Sequence, residues 1–411
     1  MAGLHLTTLP SLLYHGFGLR GYEHVRTYYE GGRIIFKIRK RGDELRCSCC
    51  GSPDVIRRGH VERFFRCLPI GLKRVWFLLA VQRVWCMACG VIRQVRLGFA
   101  EYRRSYTKGY ERYALELLRH MTIQDVARHL GVSWDVIKDI EKRNLRKHFA
   151  HPKLRKLKRI AIDEISVGKG HRYLTIVLDL GSGAVVFVGD GKGSEALAPF
   201  WTRLKRSRAK IKAVAIDMSP AYISAVMENL PEATIVFDHF HVIKLFNEKL
   251  SDFRRALYHQ ATTAMGKAVL KGTLWLLLKN PENLDETRNE HQRLQEALQL
   301  NEPLSIAYYL KEDLRQLWSQ PNKRTARAFL KDWVARARAS GVKMLTKFAN
   351  TLMAHASGVL AYYNYPISTG PLEGTNNKIK VMKRQAYGFR DMEFFKLKIM
   401  AIHHSKYALV G

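Results

Sequence analysis

The period of apolar and polar positions changes several times along the chain. Residues 1–100 alternate in the manner of strands, and the alternation predicts a hairpin of Arg63–Cys67 and Val75–Trp85. Residues 101–150 read as short helices. Between 151 and 244, short apolar runs predict strands at Lys158–Asp163, Arg172–Leu180, Ala184–Gly189, Ile211–Ile216 and Thr234–Phe237. Amphipathic helices are predicted between them at Ser194–Leu204 and Pro220–Leu230, and a Gly-Ser-Gly turn at Gly181–Gly183. Residues 245–365 carry helical periodicity almost throughout, with Leu294, Leu298, Leu310, Leu314 and Leu317 on helical spacing. Residues 366–411 open with a turn and continue as a basic helix. The Lys- and Arg-dense stretch Lys153–Arg159 is the best candidate for a linker, and no internal repeat is evident.

Length and charge sharpen this outline. The chain has 411 residues, too many for one ordinary domain, and at 47% hydrophobic and 26% charged it can bury real cores. With 69 Lys and Arg against 36 Asp and Glu it carries +33, so a polyanion is the expected partner. No apolar run approaches the ~18 residues a membrane span needs, the longest being Val75–Val81 and Leu274–Leu278. Met1–Leu13 lacks the basic-then-apolar order of a secretion signal. A cytoplasmic, nucleoid-associated protein with no membrane contact is therefore expected.

The six cysteines point to metal rather than disulfides. Cys47 and Cys50 form one CxxC pair followed by Gly51, and Cys86 and Cys89 form another followed by Gly90. Such knuckles suit tetrahedral zinc, because the glycine adopts the positive φ that turns backbone amides toward the thiolates. The 35 residues between the pairs exceed the usual ribbon spacing, and the predicted hairpin fills them. Cys49 competes with Cys47 as ligand, although its spacing to Cys50 is wrong for a knuckle. Cys67 stands alone and reads as a buried thiol. Four thiolates leave no open coordination position, so this zinc is structural.

Ile123–Lys142 fits a helix-turn-helix. Val126, Leu130, Val132, Ile137 and Ile140 are apolar where the helices pack, Ala127 is small where they cross, and Gly131 sits at the turn. Ser133 is placed to cap the second helix. In that register Ser133, Trp134, Asp135 and Lys138 project outward, where base edges would be met.

Two carboxylates stand at strand positions, Asp163 on the first strand of the 151–244 segment and Asp217 at the end of the fourth. Three antiparallel strands, a helix and then parallel additions is the order of a ribonuclease-H-like α/β layer, in which these residues lie side by side. Carboxylates so placed hold hard cations such as Mg²⁺ or Mn²⁺ about 4 Å apart, the geometry for in-line phosphodiester attack. Glu373 is the candidate third carboxylate. It opens a helix bearing Asn376, Asn377, Lys378, Lys380, Lys383 and Arg384, a set suited to a phosphate backbone. Glu164 points to the opposite strand face and is the weaker choice. Asp238 and His241 have two readings: contact with the scissile phosphate, or a hydrogen-bonded pair that pins a strand's exit into the next helix.

The stretches Ile162–Ser166 (IDEIS), Ala215–Ser219 (AIDMS), Phe237–Lys244 (FDHFHVIK), Gly370–Lys380 (GPLEGTNNKIK) and Tyr387–Arg390 (YGFR) carry a resemblance. Together with the order of the segments, they resemble the DDE transposases of bacterial insertion sequences, specifically the ISL-three family, over nearly the whole chain. The resemblance implies Asp163, Asp217 and Glu373 as catalytic triad. Asp238-x-x-His241 also looks like a D(2)H signature found in several transposase superfamilies of this fold.

The expected architecture is multidomain. It comprises a zinc-ribbon-like DNA-recognition domain (1–100), a helix-turn-helix (101–150), a ribonuclease-H-like catalytic domain (151–244), an all-helical insertion (245–365) and the catalytic domain's C-terminal helical part (366–411). The insertion arises because the 155 residues between Asp217 and Glu373 far exceed what the sheet needs. Its aromatics include Trp275, Trp318, Trp333, Tyr362 and Tyr363, of which most are expected in the core and one or two against unpaired bases. Double-stranded DNA, as terminal inverted repeats and as target, is the expected partner. The protein would act on it as a homodimer or higher oligomer, with Mg²⁺ at the triad and Zn²⁺ at the cysteines. The competing reading is a non-catalytic DNA-binding regulator.

Overall fold

A computed structural model describes residues 12–42, 44–168 and 170–404. Most of Met1–Leu13, and the end of the predicted basic C-terminal segment, therefore lie outside the described residues. The chain forms two compact units that meet at Asn144 and Leu145.

The first unit is built on a five-stranded sheet. Its strands are β1 (Tyr22–Glu30), β2 (Arg33–Lys40), β3 (Val55–Arg66), β4 (Arg74–Cys86) and β5 (Ile92–Gln94), in the order β1-β2-β4-β3 with β5 on β4. β4 shows why the sheet forms. Val75, Phe77, Leu79 and Val81 are buried at every second position, which sends them to one face. There they pack with Phe36, Phe65 and Phe99, mostly edge to face. β3 begins at Val55 rather than at the predicted Arg63, so the hairpin is longer than its apolar run suggests. Its outer half is exposed, which erases the alternation. A register shift between Arg57 and His60 interrupts the pairing, and Gly59 supplies the positive φ of 76° there. Three helices follow, Lys108–Leu117, Ile123–Leu130 and Trp134–Phe149.

The second unit contains a sheet of β6 (Arg159–Gly168), β7 (Arg172–Asp179), β8 (Val185–Asp190), β9 (Ala213–Ile216) and β10 (Thr234–Phe237). The order is β10-β9-β6-β7-β8; β6, β7 and β8 are antiparallel, and β9 and β10 add in parallel. Residues Leu174–Asp179 of β7 are all buried, as expected for a central strand covered on both faces. β6 does not end at Asp163; it continues five residues further, so Asp163 lies within the strand. Lys153–Arg159 is not a free linker either. Leu154 and Leu157, embedded among its cations, are buried in the unit's core.

Helices fill residues 239–360. Their apolar faces share one continuous core with the sheet, from Ile160 and Val214 through Phe246, Leu314 and Trp333 to Leu360. Leu294, Leu298, Leu310, Leu314 and Leu317 are all buried in it. Trp333, fully buried, packs edge-on against Phe246 and Phe348, and its indole N–H donates to the Leu310 carbonyl at 2.8 Å. Gly358 brings the short helix Ala356–Leu360 against β10: a Cβ there would lie 2.4 Å from the Phe237 ring. The helices Gly370–Gln385 and Met392–Met400 complete the unit, the former packing on β6 and the latter on β8. No helix among the described residues is long and apolar enough to cross a membrane.

Candidate functional site

The pairing of β3 with β4 assembles the cysteines. Val55 lies opposite Cys86, so the long hairpin starts and ends at one place and returns the second knuckle to the first. The 35-residue insert is therefore no obstacle. The ligand atoms of Cys47, Cys50, Cys86 and Cys89 all lie within 4.8 Å of one another, with Sγ–Sγ distances of 3.7 Å for Cys47–Cys89 and 3.5 Å for Cys50–Cys86. Tetrahedral zinc with bonds of 2.3 Å requires an edge of about 3.8 Å, so the quartet fits that ion. Gly51 and Gly90, at φ of 80° and 68°, close the knuckle turns. The Cys50 and Cys49 amides beside the Cys47 sulfur lower its pKa to about 6, which favours the thiolate that a metal needs. Cys49 is exposed and outside the quartet, which resolves the competition in favour of Cys47. Cys67 is buried in the sheet core, where burial pushes its thiol pKa up and its S–H donates to the Phe65 carbonyl at 3.3 Å.

In the helix pair, Val126, Ala127, Leu130, Ile137 and Ile140 are buried and Gly131 takes φ 60° at the turn. Thr122 caps the first helix by accepting from the Asp125 amide at 3.2 Å. The Arg66 guanidinium reaches from β3 to donate to the Leu130 carbonyl at 2.7 Å, and Arg74 lies against Gly131. The turn is thereby fastened to the sheet. Ser133, Trp134 and Asp135 are exposed at the start of the second helix, and the Lys138 ammonium lies 5.2 Å from the Trp134 ring centroid. Aromatic and cation stand on the outer face as one amphipathic pair.

In the second unit, β6 and β9 run parallel with Ala161 opposite Ala215. Asp163 lies two residues further along β6, and Asp217 directly follows the end of β9, near enough for its charge to act on Asp163. Asp163 is half-buried. Burial above all, with the negative charges of Glu164 and Asp217 adding, pushes its pKa up to about 6 against the opposing pull of His241. Its two oxygens accept from the Glu164 amide at 2.8 Å and from the Asn376 side-chain Nδ2 at 2.9 Å. Asp217 accepts from the Ser219 amide at 3.0 Å. Glu373 stands exposed in the first turn of Gly370–Gln385, three residues before Asn376 and hence on the same helix face. Among the described residues only the cysteine quartet brings three or more His, Cys, Asp or Glu ligand atoms within 4.8 Å. Asp163, Asp217 and Glu373 therefore do not form such a cluster.

The remaining sequence candidates separate. Asp238 is 1% exposed. Its carboxylate accepts from the Phe240 amide at 3.3 Å, so it caps the helix His239–Gln260, and from both the amide and the hydroxyl of Thr369. The ring it meets is that of His239, with Nδ1 at 3.1 Å, rather than that of His241. Burial, which would raise its pKa, is outweighed by these bonds, and the net shift is downward. Since Thr369 directly precedes the helix of Glu373, Asp238 holds the start of that helix. His241 instead acts on Asp163 through its charge. Glu164 lies near Tyr222, whose hydroxyl pairs with that of Thr175 at 3.2 Å. Lys378, Lys380 and Arg384 are exposed and Lys383 is half-buried, whereas Asn376 is 6% exposed and turned to Asp163. Of the insertion aromatics, Trp333 is core, Tyr363 donates to the Leu317 carbonyl at 2.5 Å, Trp318 and Tyr362 flank His239, and Trp275 is 72% exposed. Sequence reading missed Thr369 and His239. The capping position of Asp238 before a helix was the signal for His239, and nothing local announces Thr369.

The raised pKa of Asp163 has a measurable consequence in metal-free protein. A folded pKa above the unfolded value means the neutral form is favoured on folding, so that contribution to stability is present at low pH and lost as pH rises through about 6. Asp163→Asn should therefore raise the melting temperature at pH 8, by on the order of 2 kcal/mol of stability, and not at pH 4. Thermal unfolding at the two pH values checks it, and an equal effect at both would show that charge burial is not the cause.

Comparison with known proteins identifies the family. Residues 160–399 match a family model described as Transposase, and residues 95–143 match one described as the helix-turn-helix domain of transposase family ISL3. The transposase of insertion sequence element IS1001 from Bordetella parapertussis is 35% identical over 394 residues, spanning 93% of this chain and 96% of that protein. That of IS1557 from Mycobacterium tuberculosis is 29% identical over 394 residues, spanning 88% and 86%. Among solved structures, the Drosophila P element transposase strand transfer complex covers 74% of this chain and 94% of its own at 12% identity, with a TM-score of 0.36. The first family match holds the sheet of β6 to β10, the helices of residues 239–360 and the helix of Glu373, and the second holds most of the helix pair; the chain belongs to the transposase family ISL3.

Proposed function

We propose that this transposase is a DDE-type enzyme whose second unit is a ribonuclease-H-like catalytic domain interrupted by its helical insertion. The observation that carries the reading is that the parallel pairing of β6 with β9 brings the Asp217 charge to bear on Asp163, with the helix of Glu373 tied to Asp163 through Asn376. Asp163, Asp217 and Glu373 would hold Mg²⁺ or Mn²⁺, and the buried, unpartnered Oδ1 of Asn376, whose side chain meets Asp163, adds a hard oxygen donor that fits such an ion. Two such ions, when bound, lower the pKa of the attacking water and neutralise the departing oxygen. The protein's own part is orientation. Asp238 fixes the start of the Glu373 helix, and His241, close to Asp163, opposes the rise of its pKa. Lys378, Lys380, Lys383 and Arg384 draw the phosphate backbone along that helix.

The cysteine-zinc segment (1–100) and the helix pair (101–150), with Ser133, Trp134 and Lys138 outward, would recognise the terminal inverted repeats of the insertion sequence. Cleavage frees a 3′-hydroxyl that is then joined to target DNA, with the protein acting as a homodimer or higher oligomer on DNA in the cytoplasm. A regulator without catalytic activity would have no use for the buried charge of Asp163, which burial penalises. Incubation with DNA carrying the cognate ends, with and without Mg²⁺, tests the reading: absence of Mg²⁺-dependent cleavage would reject it. Removal of residues 1–150 should abolish discrimination between these ends and random DNA, leaving weak binding that fades steeply with salt. Retained discrimination in a salt-titrated gel-shift assay would move recognition to the second unit.

A further inference from the structure

Asn376 is spent on nothing that its burial explains. It is 6% exposed on the helix Gly370–Gln385, its Nδ2 donates to Asp163 Oδ2 at 2.9 Å, and its carbonyl Oδ1 is buried with no hydrogen-bond partner. A buried amide oxygen left unpaired costs ~1–3 kcal/mol, so a residue serving only as a donor to Asp163 would sit poorly here. The terminal torsion of asparagine is broad, and a half-turn exchanges two groups of nearly equal size without repacking. That turn would set Oδ1 where Nδ2 now lies, about 2.9 Å from Asp163 Oδ2. Two adjacent oxygens of an octahedral Mg²⁺ shell, each ~2.1 Å from the ion, are about 2.9 Å apart. With its charge unshielded, Asp163 needs the N–H; with a cation between the two residues it needs the carbonyl.

We infer that Asn376 is a direct ligand of the divalent cation at Asp163, its amide facing the carboxylate with Nδ2 in the metal-free protein and with Oδ1 in the loaded one. The inference rests on the reading of Asp163 as a metal ligand given above. It explains why the residue one helical turn after Glu373 is turned inward when its neighbours Asn377 and Lys378 are exposed. It also makes the Glu373 helix contribute two oxygen donors rather than one.

The test is Mn²⁺ binding to full-length, zinc-loaded protein without DNA, followed by titration calorimetry and by the Mn²⁺ electron paramagnetic resonance spectrum. Asp163→Asn should weaken binding strongly. Asn376→Ala should weaken it by roughly tenfold or more. Asn376→Asp, which offers an oxygen but no N–H, should bind Mn²⁺ at least as tightly as the parent. If Asn376 were only a hydrogen-bond donor to Asp163, Asn376→Asp would fail as badly as Asn376→Ala, and that result overturns the inference. Wild-type affinity in Asn376→Ala overturns it as well. Should Asn376→Ala not fold by circular dichroism, Asn376→Asp alone decides, in the same two directions. Unchanged binding in Asp163→Asn would instead reject the parent reading of the site.

Discussion

Asp163→Asn, Asp217→Asn and Glu373→Gln are each expected to lower strand cleavage and joining by at least ~10³-fold while leaving binding to the cognate ends intact. Each substitution keeps side-chain size and removes a negative charge that would hold the cations. Stabilisation of the attacking and departing oxygens is worth several kcal/mol, and every 1.36 kcal/mol is a factor of ten in rate. Binding should survive because the helix pair and the cysteine quartet belong to the first unit. For Asp163→Asn, folding should not suffer, since its Oδ1 can still accept from the Glu164 amide, its Nδ2 can donate to the Asn376 carbonyl once that amide turns over, and no charge is placed there. Glu164→Gln is the matched control: it sits on the adjacent position, next to Tyr222 rather than facing Asp217, and a glutamine there keeps the polar contact. Strand cleavage on end-containing DNA gives the readout. Wild-type cleavage by Glu373→Gln would remove the third carboxylate from the triad, and wild-type cleavage by Asp163→Asn would remove the mechanism.

Cys86→Ser is expected to reduce zinc from about one per chain to near none and to disorder the end of the first unit that holds both knuckles. Cys86 is fully buried at the last position of β4, opposite Val55, so an ion held there would clamp the hairpin where its two strands meet. Zinc binding contributes an apparent ~10–16 kcal/mol to folding in small zinc domains. Here the effect should be confined, because Phe36, Phe65, Phe77 and Phe99 give the sheet a core of its own. End recognition should weaken with the knuckles while Mn²⁺ binding by the second unit persists. Cys49→Ser is the control, being exposed and outside the quartet, and should retain the metal. Elemental analysis decides: unchanged zinc in Cys86→Ser, or zinc lost in Cys49→Ser but kept in Cys47→Ser, would replace the ligand set.

The sequence alone determined what local spacing determines. The helix pair was legible because its packing positions, Val126, Leu130, Ile137 and Ile140, and its turn glycine lie within one short window, where periodicity and φ preference act directly. The two CxxC pairs were legible for the same reason, as were the strands Thr234–Phe237 and Arg172–Asp179. Tertiary structure decided the rest, through pairings that no local rule encodes. The exposed outer half of β3 showed no alternation, yet its pairing with β4 is what closes the cysteine quartet. Lys153–Arg159 looked like a linker because its cations outnumber the two leucines that anchor it in the core. β6 ran past Asp163 because β7 pairs with it as far as Gly168. Asn376 looked like one more polar residue on a basic helix until the packing of that helix on β6 turned it to Asp163. The choice of His239 over His241 as partner of Asp238, and of Thr369 as its second partner 131 residues away, likewise came from the fold. Burial periodicity is a property of a segment, whereas register and hydrogen-bond partnership belong to pairs of segments brought together only when the core forms.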